Sequence, residues 1–538
     1  MTDDEKKTRH RLSSARLALG AFSGVLAGFV SLCVAELVSA AVRPQASPVV
    51  AVGGAAIDRT PAAVKDWAIR HFGTNDKLFL QLGILAMLAL FALVLGIVAL
   101  RFRRSGAAGV LLFGIVGAVS ATSRPDSTSL SDALPSVVGA IAGAAVLYVL
   151  VGRLTRRVPS TEPVGGEPKA APSGAGWDRR GFVIAATAAA AASAGAGVLG
   201  RSLNSASGQN AVASRNKVVL PRPASAAAAV PKGAQLRIPG ISPFTTPNSS
   251  FYRVDTALVV PKVNAATWQL RIHGTGVRRP VTLSYDDLLR RELIERDITL
   301  TCVSNEVGGP YVGNARWIGV RLADLLAECG VRPPSKGGTA DQLVARSVDG
   351  MTIGSPVEDV MDGRDALLAL GMNGEPLPFA HGFPVRMVVP GLYGFVSACK
   401  WIKDIELTTF DSYDPYWVKR GWARKAPIKT ESRIDTPKPF ARPGAGTVMV
   451  GGVAWAQHRG IDKVEVRVDD GPWREARLAA EDTRDTWRQW SFPWEAAKGG
   501  RTLTVRATDR TGRLQTDKRT HTIPDGASGW HSVVVTVD

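Results

Sequence analysis

The chain has 538 residues, and this length suggests more than one domain. Lysine and arginine exceed the acidic residues by 65 to 47, and the resulting net charge of +18 suits nucleic acid, anionic lipid or the basic flanks of membrane spans. The cysteines Cys33, Cys302, Cys329 and Cys399 lie far apart, which excludes a CxxC pair, a zinc-ligand spacing and a dense disulfide framework.

Long apolar stretches occupy the first third of the chain, at about 15–42, 78–100, 107–123 and 134–152. Each is close to the ~20 residues that a helix needs to cross a bilayer core. The third stretch is short and rich in glycine, so a buried soluble helix is its alternative. The sequence therefore predicts a four-helix transmembrane region over residues 1–157.

Basic clusters give the orientation of these spans. They are "KKTRHR" before the first span, "RFRR" (101–104) between the second and third, and Arg153, Arg156 and Arg157 after the fourth. Because loops rich in lysine and arginine stay in the cytoplasm, the N-terminus is expected inside. The loop 43–76 and the loop "SRPDSTSLSD" then face outward.

A linker rich in proline, glycine and serine (158–176) precedes "WDRRGFVIAATAAAAASAGAGVLGR". The pair Arg179 and Arg180 before a weakly apolar segment, about 181–200, resembles a twin-arginine export signal, and an ordinary fifth span with basic flanks is the alternative. Twin-arginine export carries folded proteins, so we expect a cofactor that is inserted before export. Residues 201–240 have linker composition, which predicts a flexible tether within 158–245.

Two composition regimes follow the tether. Residues 246–424 mix strand-like runs such as "TWQLRIHG" with helical patterns such as "LADLLAECG", which predicts an α+β domain. Residues 425–538 contain short alternating runs such as "KVEVRVDDGPW" and "TLTVRATDRTG", separated by turn signals. This spacing predicts an all-β sandwich of immunoglobulin type.

Cys302 ends the strand-like run "RDITLT" and begins a glycine-bearing loop, where sites are commonly built. A buried structural cysteine is the alternative interpretation. Further along, His381 and Arg386 lie five residues apart in "HGFPVR", and Lys400 precedes an aromatic residue. Such a basic trio suits a phosphate or another anion. Residues 246–424 contain neither GxGxxG nor GxxxxGK[ST], which excludes a standard nucleotide loop in this region.

At these residues the chain resembles the sulfite oxidase family of molybdopterin enzymes. The resemblance runs from "TPNSSFYRVDTALVVP" through the Cys302 segment, "SVDGMTIGSP", "MNGEPLPFAHGFPVR" and "GFVSACKW", and covers about 245–538. It implies one molybdenum–molybdopterin cofactor per chain. It also implies that residues 425–538 are a dimerisation domain that can form a homodimer.

The resemblance assigns roles residue by residue. Cys302 would bind molybdenum through its thiolate, which suits a soft, redox-active metal. The residues that would bind the pterin and its phosphate are Asn248, Tyr252, Arg253, Ser347, His381, Arg386, Ala398, Cys399 and Lys400. Asn305, Glu306 and Trp317 are candidate pocket residues near Cys302.

The chain departs from the family pattern at the expected substrate pocket. Sulfite-oxidising members carry an arginine pair shortly after the cysteine, whereas this chain has Glu306 and Val307. Trp422 stands where those members have a tyrosine. A like charge about 4 Å from an oxyanion costs on the order of 4 kcal/mol at an effective dielectric near 20, which counts against sulfite as the substrate.

The sequence thus predicts a membrane-anchored oxidoreductase, active outside the cytoplasmic membrane, that moves an oxygen atom to or from a small substrate. No histidine lies in a proposed span and there is no CxxCH, so a separate electron carrier is expected. Nucleic acid is not an expected partner, because much of the basic excess flanks the spans. The alternatives are a cofactor-free extracytoplasmic binding module and a hydrolase with a Cys302–His381 dyad.

Overall fold

The computed structural model describes residues 14–61, 64, 67–68, 71–72, 76–127, 129–156 and 178–538. It divides into two compact units, residues 1–209 and 210–538, which are described separately below. The predicted linker at 158–176 and the first basic cluster lie outside the described residues.

The helices of the first unit are α1 (Ser14–Val42), α2 (Pro48–Arg59), α3 (Asp76–Ala99), α4 (Arg103–Thr122), α5 (Leu134–Thr155) and α6 (Arg179–Asn216), the last of which continues into the second unit. Within the described residues, five of them, all except α2, are long and apolar enough to cross a membrane. Helix α2 lies where the sequence indicated a loop, and a proline in its first turn suits a helix start.

Small residues let these helices approach closely. A Cβ atom on Gly24 of α1 would overlap the backbone carbonyl of Ala92 in α3. Between α1 and α6, the side-chain amide of Asn204 donates to Glu36 Oε1 at 2.9 Å. Close backbone approach and interhelical hydrogen bonds are the usual means of helix association in membranes. Near the start of α6, Phe182 lies in an apolar cluster with Leu26 of α1. Helix α6 therefore packs against α1 at its first turn as well as at Asn204.

The first part of the second unit has two β-sheets and short helices. One sheet has the order β2-β1-β10-β5-β6, and the other has the order β3-β4-β7-β8 with β9 paired to β7. The strands are β1 (Gln269–Gly274), β2 (Val281–Ser284), β3 (Leu293–Thr301), β4 (Val312–Arg321), β5 (Gln342–Ser347), β6 (Thr352–Pro356), β7 (Leu367–Met372), β8 (Glu375–Pro376), β9 (Arg386–Val388) and β10 (Ile402–Thr408). The helices are α7 (Tyr285–Leu289), α8 (Leu322–Glu328), α9 (Val357–Met361) and α10 (Gly394–Ser397).

The rest of the second unit is a sandwich of two antiparallel sheets, ordered β11-β12-β16-β15 and β14-β13-β17-β18. Its strands are β11 (Glu431–Thr436), β12 (Gly446–Trp455), β13 (Ile461–Val468), β14 (Arg474–Glu475), β15 (Arg477–Leu478), β16 (Arg488–Ala496), β17 (Gly499–Asp509) and β18 (His531–Val537). Both sheets contribute alternate residues to one core, including Val450, Val464, Trp490 and Leu503. The immunoglobulin-type topology stays a prediction.

Residues 218–245, here called the strap, differ from the predicted flexible tether. The amide of Ala224 donates to Leu293 O at 2.8 Å and Ser225 forms a parallel bridge with Ile294, so the strap covers the free edge of β3. Further on, the amide of Leu236 donates to Gln489 Oε1 at 2.6 Å. The tether prediction is wrong here because composition shows neither which backbone groups pair with a sheet edge nor which side chains anchor a segment.

Candidate cofactor site

Cys302 begins the loop that joins β3 to β4, residues 302–311, here called the Cys302 loop. The loop is closed on itself, because the Cys302 amide donates to Tyr311 O at 2.9 Å and the Asn305 amide donates to Cys302 O at 3.0 Å. The side-chain oxygen of Asn305 accepts from the Tyr311 amide at 2.8 Å. Cys302 itself is partly exposed. Its backbone is therefore fixed while its thiol stays accessible to a ligand.

An aromatic strip joins this loop to His381. The ring of Tyr252 stacks on Phe251 at 5.1 Å and meets Tyr311 edge-on at 6.3 Å. Phe251 in turn meets the His381 ring edge-on at 5.6 Å. Burial raises the pKa of the Tyr252 hydroxyl, and Cys302 raises it further while Arg386 lowers it. Tyr252 thus lies within electrostatic reach of both Cys302 and Arg386.

Arg386 is a buried cation with an incomplete set of partners. Arg386 is 5% exposed, and its guanidinium lies 4.9 Å from the centre of the Trp317 ring. Nη1 donates to His381 O at 3.3 Å, whereas the buried Nε has no hydrogen-bond partner among the described residues. Burial lowers the pKa of Arg386 to about 10, so the group stays charged at neutral pH. A buried charge of this kind is costly unless an anion lies against it.

His381 is neutral at this site. Its Nε2 lies 2.9 Å from the backbone carbonyl of Asn248, which makes this nitrogen the proton donor. Burial, together with the neighbouring charges of Arg386, Lys400 and Arg253, lowers the pKa of His381 to about 4, although the hydrogen bond to Asn248 opposes the shift. The imidazole therefore adds a hydrogen-bonding group without a further positive charge.

Lys400 and Arg253 share one carboxylate. Lys400 Nζ lies 2.6 Å from Asp255 Oδ2, and Arg253 Nε lies 2.8 Å from the same oxygen. Gly382 has φ +111, and a Cβ atom there would lie 3.2 Å from Lys400 Cα and 3.0 Å from Arg386 Cβ. The lack of a side chain at this position therefore lets the segments that carry Arg386 and Lys400 approach each other. Asp255 was not predicted, although its position two residues after Arg253 could have indicated it.

The strip from Ala398 to Lys400 lies beside the end of β5. The Val348 amide donates to Trp401 O at 2.9 Å, which holds the buried Ser347 near Lys400. Cys399 is buried, and burial raises the pKa of its thiol, with Asp349 raising it further. Of the cysteines in this strip and in the Cys302 loop, the partly exposed Cys302 is thus the better candidate for a metal ligand.

Other candidate residues have structural contacts. The side chain of Asn248 donates to Glu375 Oε1 at 2.6 Å, so its backbone carbonyl, rather than its amide, contacts His381. Trp317 is fully buried and its indole donates to Ile298 O at 3.1 Å. The expectation that Trp317 lines a pocket is therefore wrong, because the ring is fully buried and packs against the guanidinium of Arg386. Trp422 is buried against Phe395, with ring centres 5.5 Å apart.

These residues fit an anionic, metal-bearing group. A partly exposed thiol and a buried guanidinium with an unpartnered Nε both influence the pKa of Tyr252, and two further cations share a single carboxylate. Guanidinium and ammonium groups bind phosphate strongly, and a thiolate suits a soft metal. The cations of the site can thus bind the phosphate of a cofactor, and Cys302 can ligate its metal.

Comparisons with known proteins agree with this geometry. Residues 257–417 match the family model described as the oxidoreductase molybdopterin binding domain. Mitochondrial sulfite oxidase of Mus musculus is 30% identical over 317 residues, which cover 51% of this chain and 58% of that protein. Nitrate reductase [NADH] 1 of Oryza sativa subsp. japonica is 34% identical over 199 residues, covering 33% of this chain and 21% of that protein.

The chain thus spans little more than half the length of the mouse sulfite oxidase that it matches. A solved structure, the sulfane dehydrogenase SoxCD from Paracoccus pantotrophus, covers 55% of this chain and 84% of its own. Its sequence identity is 24% and its TM-score is 0.47.

Proposed function

We propose that this chain, which carries the molybdopterin-binding domain of the sulfite oxidase family, is a membrane-anchored oxidoreductase acting outside the cytoplasmic membrane. The family and the molybdenum–molybdopterin cofactor expected from the sequence are confirmed by the matched domain and the relatives. The reaction that we propose is transfer of an oxygen atom to or from a small substrate.

Arg386 is the observation that carries the proposal. Its guanidinium is buried, keeps its charge, and leaves Nε without a partner in the described part of the chain. A protein gains nothing by burying a cation in this way unless a ligand supplies the opposite charge. The phosphate of molybdopterin is such a ligand, and Lys400 and Arg253 lie in the same region to share its charge.

The bound cofactor would supply the redox chemistry and the exchange of oxygen. Cys302 would ligate the metal from a loop whose backbone is already fixed. The neutral His381 would give a directed hydrogen bond, and the raised pKa of Tyr252 keeps its hydroxyl protonated and able to donate. The protein's part is to bind and orient the cofactor and to set the electrostatics around it.

Substrates other than sulfite are favoured. The arginine pair of the sulfite-oxidising members is replaced by Glu306 and Val307 on the Cys302 loop. The positive charge that would bind an oxyanion is thus missing from this loop, whereas a neutral S-oxide or N-oxide does not depend on it. We therefore propose a small neutral oxide, or the corresponding reduced compound, as the substrate.

A substrate screen with an artificial redox dye tests this proposal. The purified full chain should contain about one molybdenum per chain and turn over an S- or N-oxide faster than sulfite. A metal-free protein would contradict the proposal. If that protein were labelled at Cys302 by an alkylating substrate analogue, the hydrolase alternative would replace it. If it were inert, the binding-module alternative would stand.

The proposed location rests on the N-terminal helices. Five helices in the described residues suit membrane spans, and Arg179 and Arg180 begin the last of them. A separate electron carrier is part of this proposal, since no proposed span contains a histidine that could ligate a haem. A homodimer formed through residues 425–538 belongs to the same proposal.

A further inference from the structure

The β-sandwich makes direct contacts with the Cys302 loop and with the strand before it. These contacts come from three side chains, Gln457, Arg433 and His531, which lie in different parts of the sandwich. We propose that these three residues act as a clamp that positions the Cys302 sulfur toward the metal. The inference rests on the proposed function and adds positioning residues that lie outside the cofactor-binding domain.

Gln457 holds the strand that leads to Cys302. This fully buried side chain donates through Nε2 to Thr299 O at 2.9 Å and to Thr301 Oγ1 at 3.0 Å. Thr301 is the last residue of β3, directly before Cys302. Gln457, in the loop after β12, thus fixes the end of β3 directly before the Cys302 loop.

A second part of the sandwich supports the same strand. The amide of Thr299 donates to Asp485 O at 2.9 Å, and its hydroxyl accepts from the Trp487 amide at 2.7 Å. A buried donor or acceptor that loses its hydrogen-bond partner is destabilising, so these bonds restrain the strand. The end of β3 is therefore held on the sandwich side as well as by its pairing with β4.

Arg433 holds the far end of the Cys302 loop. Its Nη1 donates to Gly309 O at 2.7 Å. The guanidinium is itself fixed, because Nε donates to Asp435 Oδ1 at 2.7 Å and Nη2 donates to Ser242 Oγ at 2.9 Å. A charge-assisted bond from a residue fixed in this way restrains the loop more than a bond from a mobile side chain.

His531 fills the space beside Gly308. Its Nδ1 accepts from the Ile434 amide at 3.0 Å, so the proton of the neutral ring is on Nε2. A Cβ atom on Gly308 would overlap Cδ2 and Nε2 of this ring, and Gly308 has φ +80. The loop can approach the sandwich this closely because position 308 has no side chain.

The clamp contacts the strand residue directly before the loop and residues near the end of the loop. The proposed cofactor-binding side chains His381, Arg386 and Lys400 lie on other segments. Residues that orient a metal ligand without touching the metal change its geometry and potential, and their loss commonly costs about 10- to 100-fold in affinity or activity. The clamp should therefore affect the metal–sulfur bond while leaving the binding of the pterin intact.

Arg433→Met in the full-length protein tests this inference. We expect cofactor content like that of wild type, a shifted Mo(V) electron paramagnetic resonance signal on dithionite titration, and roughly tenfold faster hydrogen exchange across the Cys302 loop. Arg433→Lys should restore part of both effects. The matched control is Arg488→Met, because among the described residues Arg488 donates to sandwich carbonyls, Ala479 O at 2.9 Å and Ile461 O at 3.0 Å.

A double-mutant cycle gives an independent test, should Arg433→Met fail to fold. Gly308→Ala should shift the Mo(V) signal, and adding His531→Ala should reverse part of that shift, because the overlapping ring is removed. Variants with wild-type Mo(V) signals and loop exchange would overturn the clamp. Wild-type protein without any Mo(V) signal would instead contradict the proposed function, and the exchange measurement would still test the clamp.

Discussion

At the scale of single residues, Arg386 dominates the electrostatics of the candidate site, because it is a buried cation whose Nε has no partner among the described residues. The spacing of His381 and Arg386 predicted a pair, and the structure brings them together through a hydrogen bond from Nη1 to His381 O. The burial of Arg386 and its unused Nε depend on Trp317 and other residues distant in sequence. The spacing of Arg253 and Asp255 could have indicated that pair, whereas the pairing of Asp255 with Lys400 could not be predicted, because 145 positions separate the two residues.

Arg386→Met should have opposite effects on cofactor content and on the stability of the cofactor-free protein. Cofactor content should fall about tenfold or more, because the cation proposed to bind the phosphate is lost. Without cofactor, the variant should be as stable as wild type or more stable by about 1–3 kcal/mol, since a poorly partnered buried charge is removed. Molybdenum analysis and urea unfolding measure the two effects.

Arg271→Met is the control, because Arg271 is exposed on β1. A clear loss of stability in cofactor-free Arg386→Met would contradict the account, since it would give the guanidinium a purely structural role.

Because of Glu431, the free energy of unfolding should decrease as the pH rises. Burial raises its pKa from 4.5 to about 8, although Lys429 and Arg519 oppose the shift, and Oε1 has no partner in the described structure. Between these pH values the folded protein binds more protons than the unfolded chain, so stability decreases from pH 4.5 toward pH 8. Glu431→Gln should be more stable than wild type by roughly 2–4 kcal/mol at pH 8 and similar to it near pH 5.

Urea unfolding at both pH values gives the comparison, with the exposed Glu495→Gln as control. Equal pH dependence in Glu431→Gln and wild type would show that the carboxyl is ionised in the folded state.

At the scale of elements, the regular alternation of the sandwich strands made them predictable. Strand β13 and strand β17 place alternate residues in the shared core, as the pattern indicated. Helix α2 and the strap were missed for a different reason. Both consist largely of small residues or proline, whose structure is decided by neighbouring helices or by a sheet edge rather than by their own periodicity.

We expect the buried side chain of Phe244 to hold the strap against the rest of the second unit. Its side chain is 3% exposed, and its carbonyl accepts from Trp487 Nε1 at 2.8 Å and from Asn314 Nδ2 at 3.1 Å. Phe244→Ala should lower the free energy of unfolding of the second unit by about 3–5 kcal/mol. The measurement is urea unfolding of the detergent-solubilised chain, followed by tryptophan fluorescence.

Val219→Ala is the matched control in the same strap, because Val219 is 82% exposed and should change stability by less than about 0.5 kcal/mol. A similarly small effect of Phe244→Ala would restore the tether interpretation of the sequence.

At the scale of the whole molecule, the sequence separates a membrane-type region from an enzyme-type region. Hydropathy and length identify the five candidate spans, and the motifs identify the cofactor domain. The structure adds that residues 210–538 form one compact unit, within which the predicted boundary between residues 424 and 425 stays a prediction. Contacts such as that of Arg433 with Gly309 could not be predicted, because they join residues more than a hundred positions apart.

Replacing Arg179 and Arg180 together by lysine tests the proposed export route. The positive charge before α6 is kept, so charge-directed orientation should be unchanged. If the arginine pair is an export signal, residues 210–538 should become protected from external protease in spheroplasts. Unchanged protease sensitivity would indicate an ordinary fifth span instead.

The central claim is that the Cys302 sulfur binds molybdenum, and X-ray absorption at the molybdenum edge tests it most directly. The wild-type protein and Cys302→Ser should both contain the metal, since Arg386 and Lys400 still hold the cofactor. The variant should show one sulfur neighbour fewer and no turnover. An unchanged sulfur shell in Cys302→Ser would contradict the account.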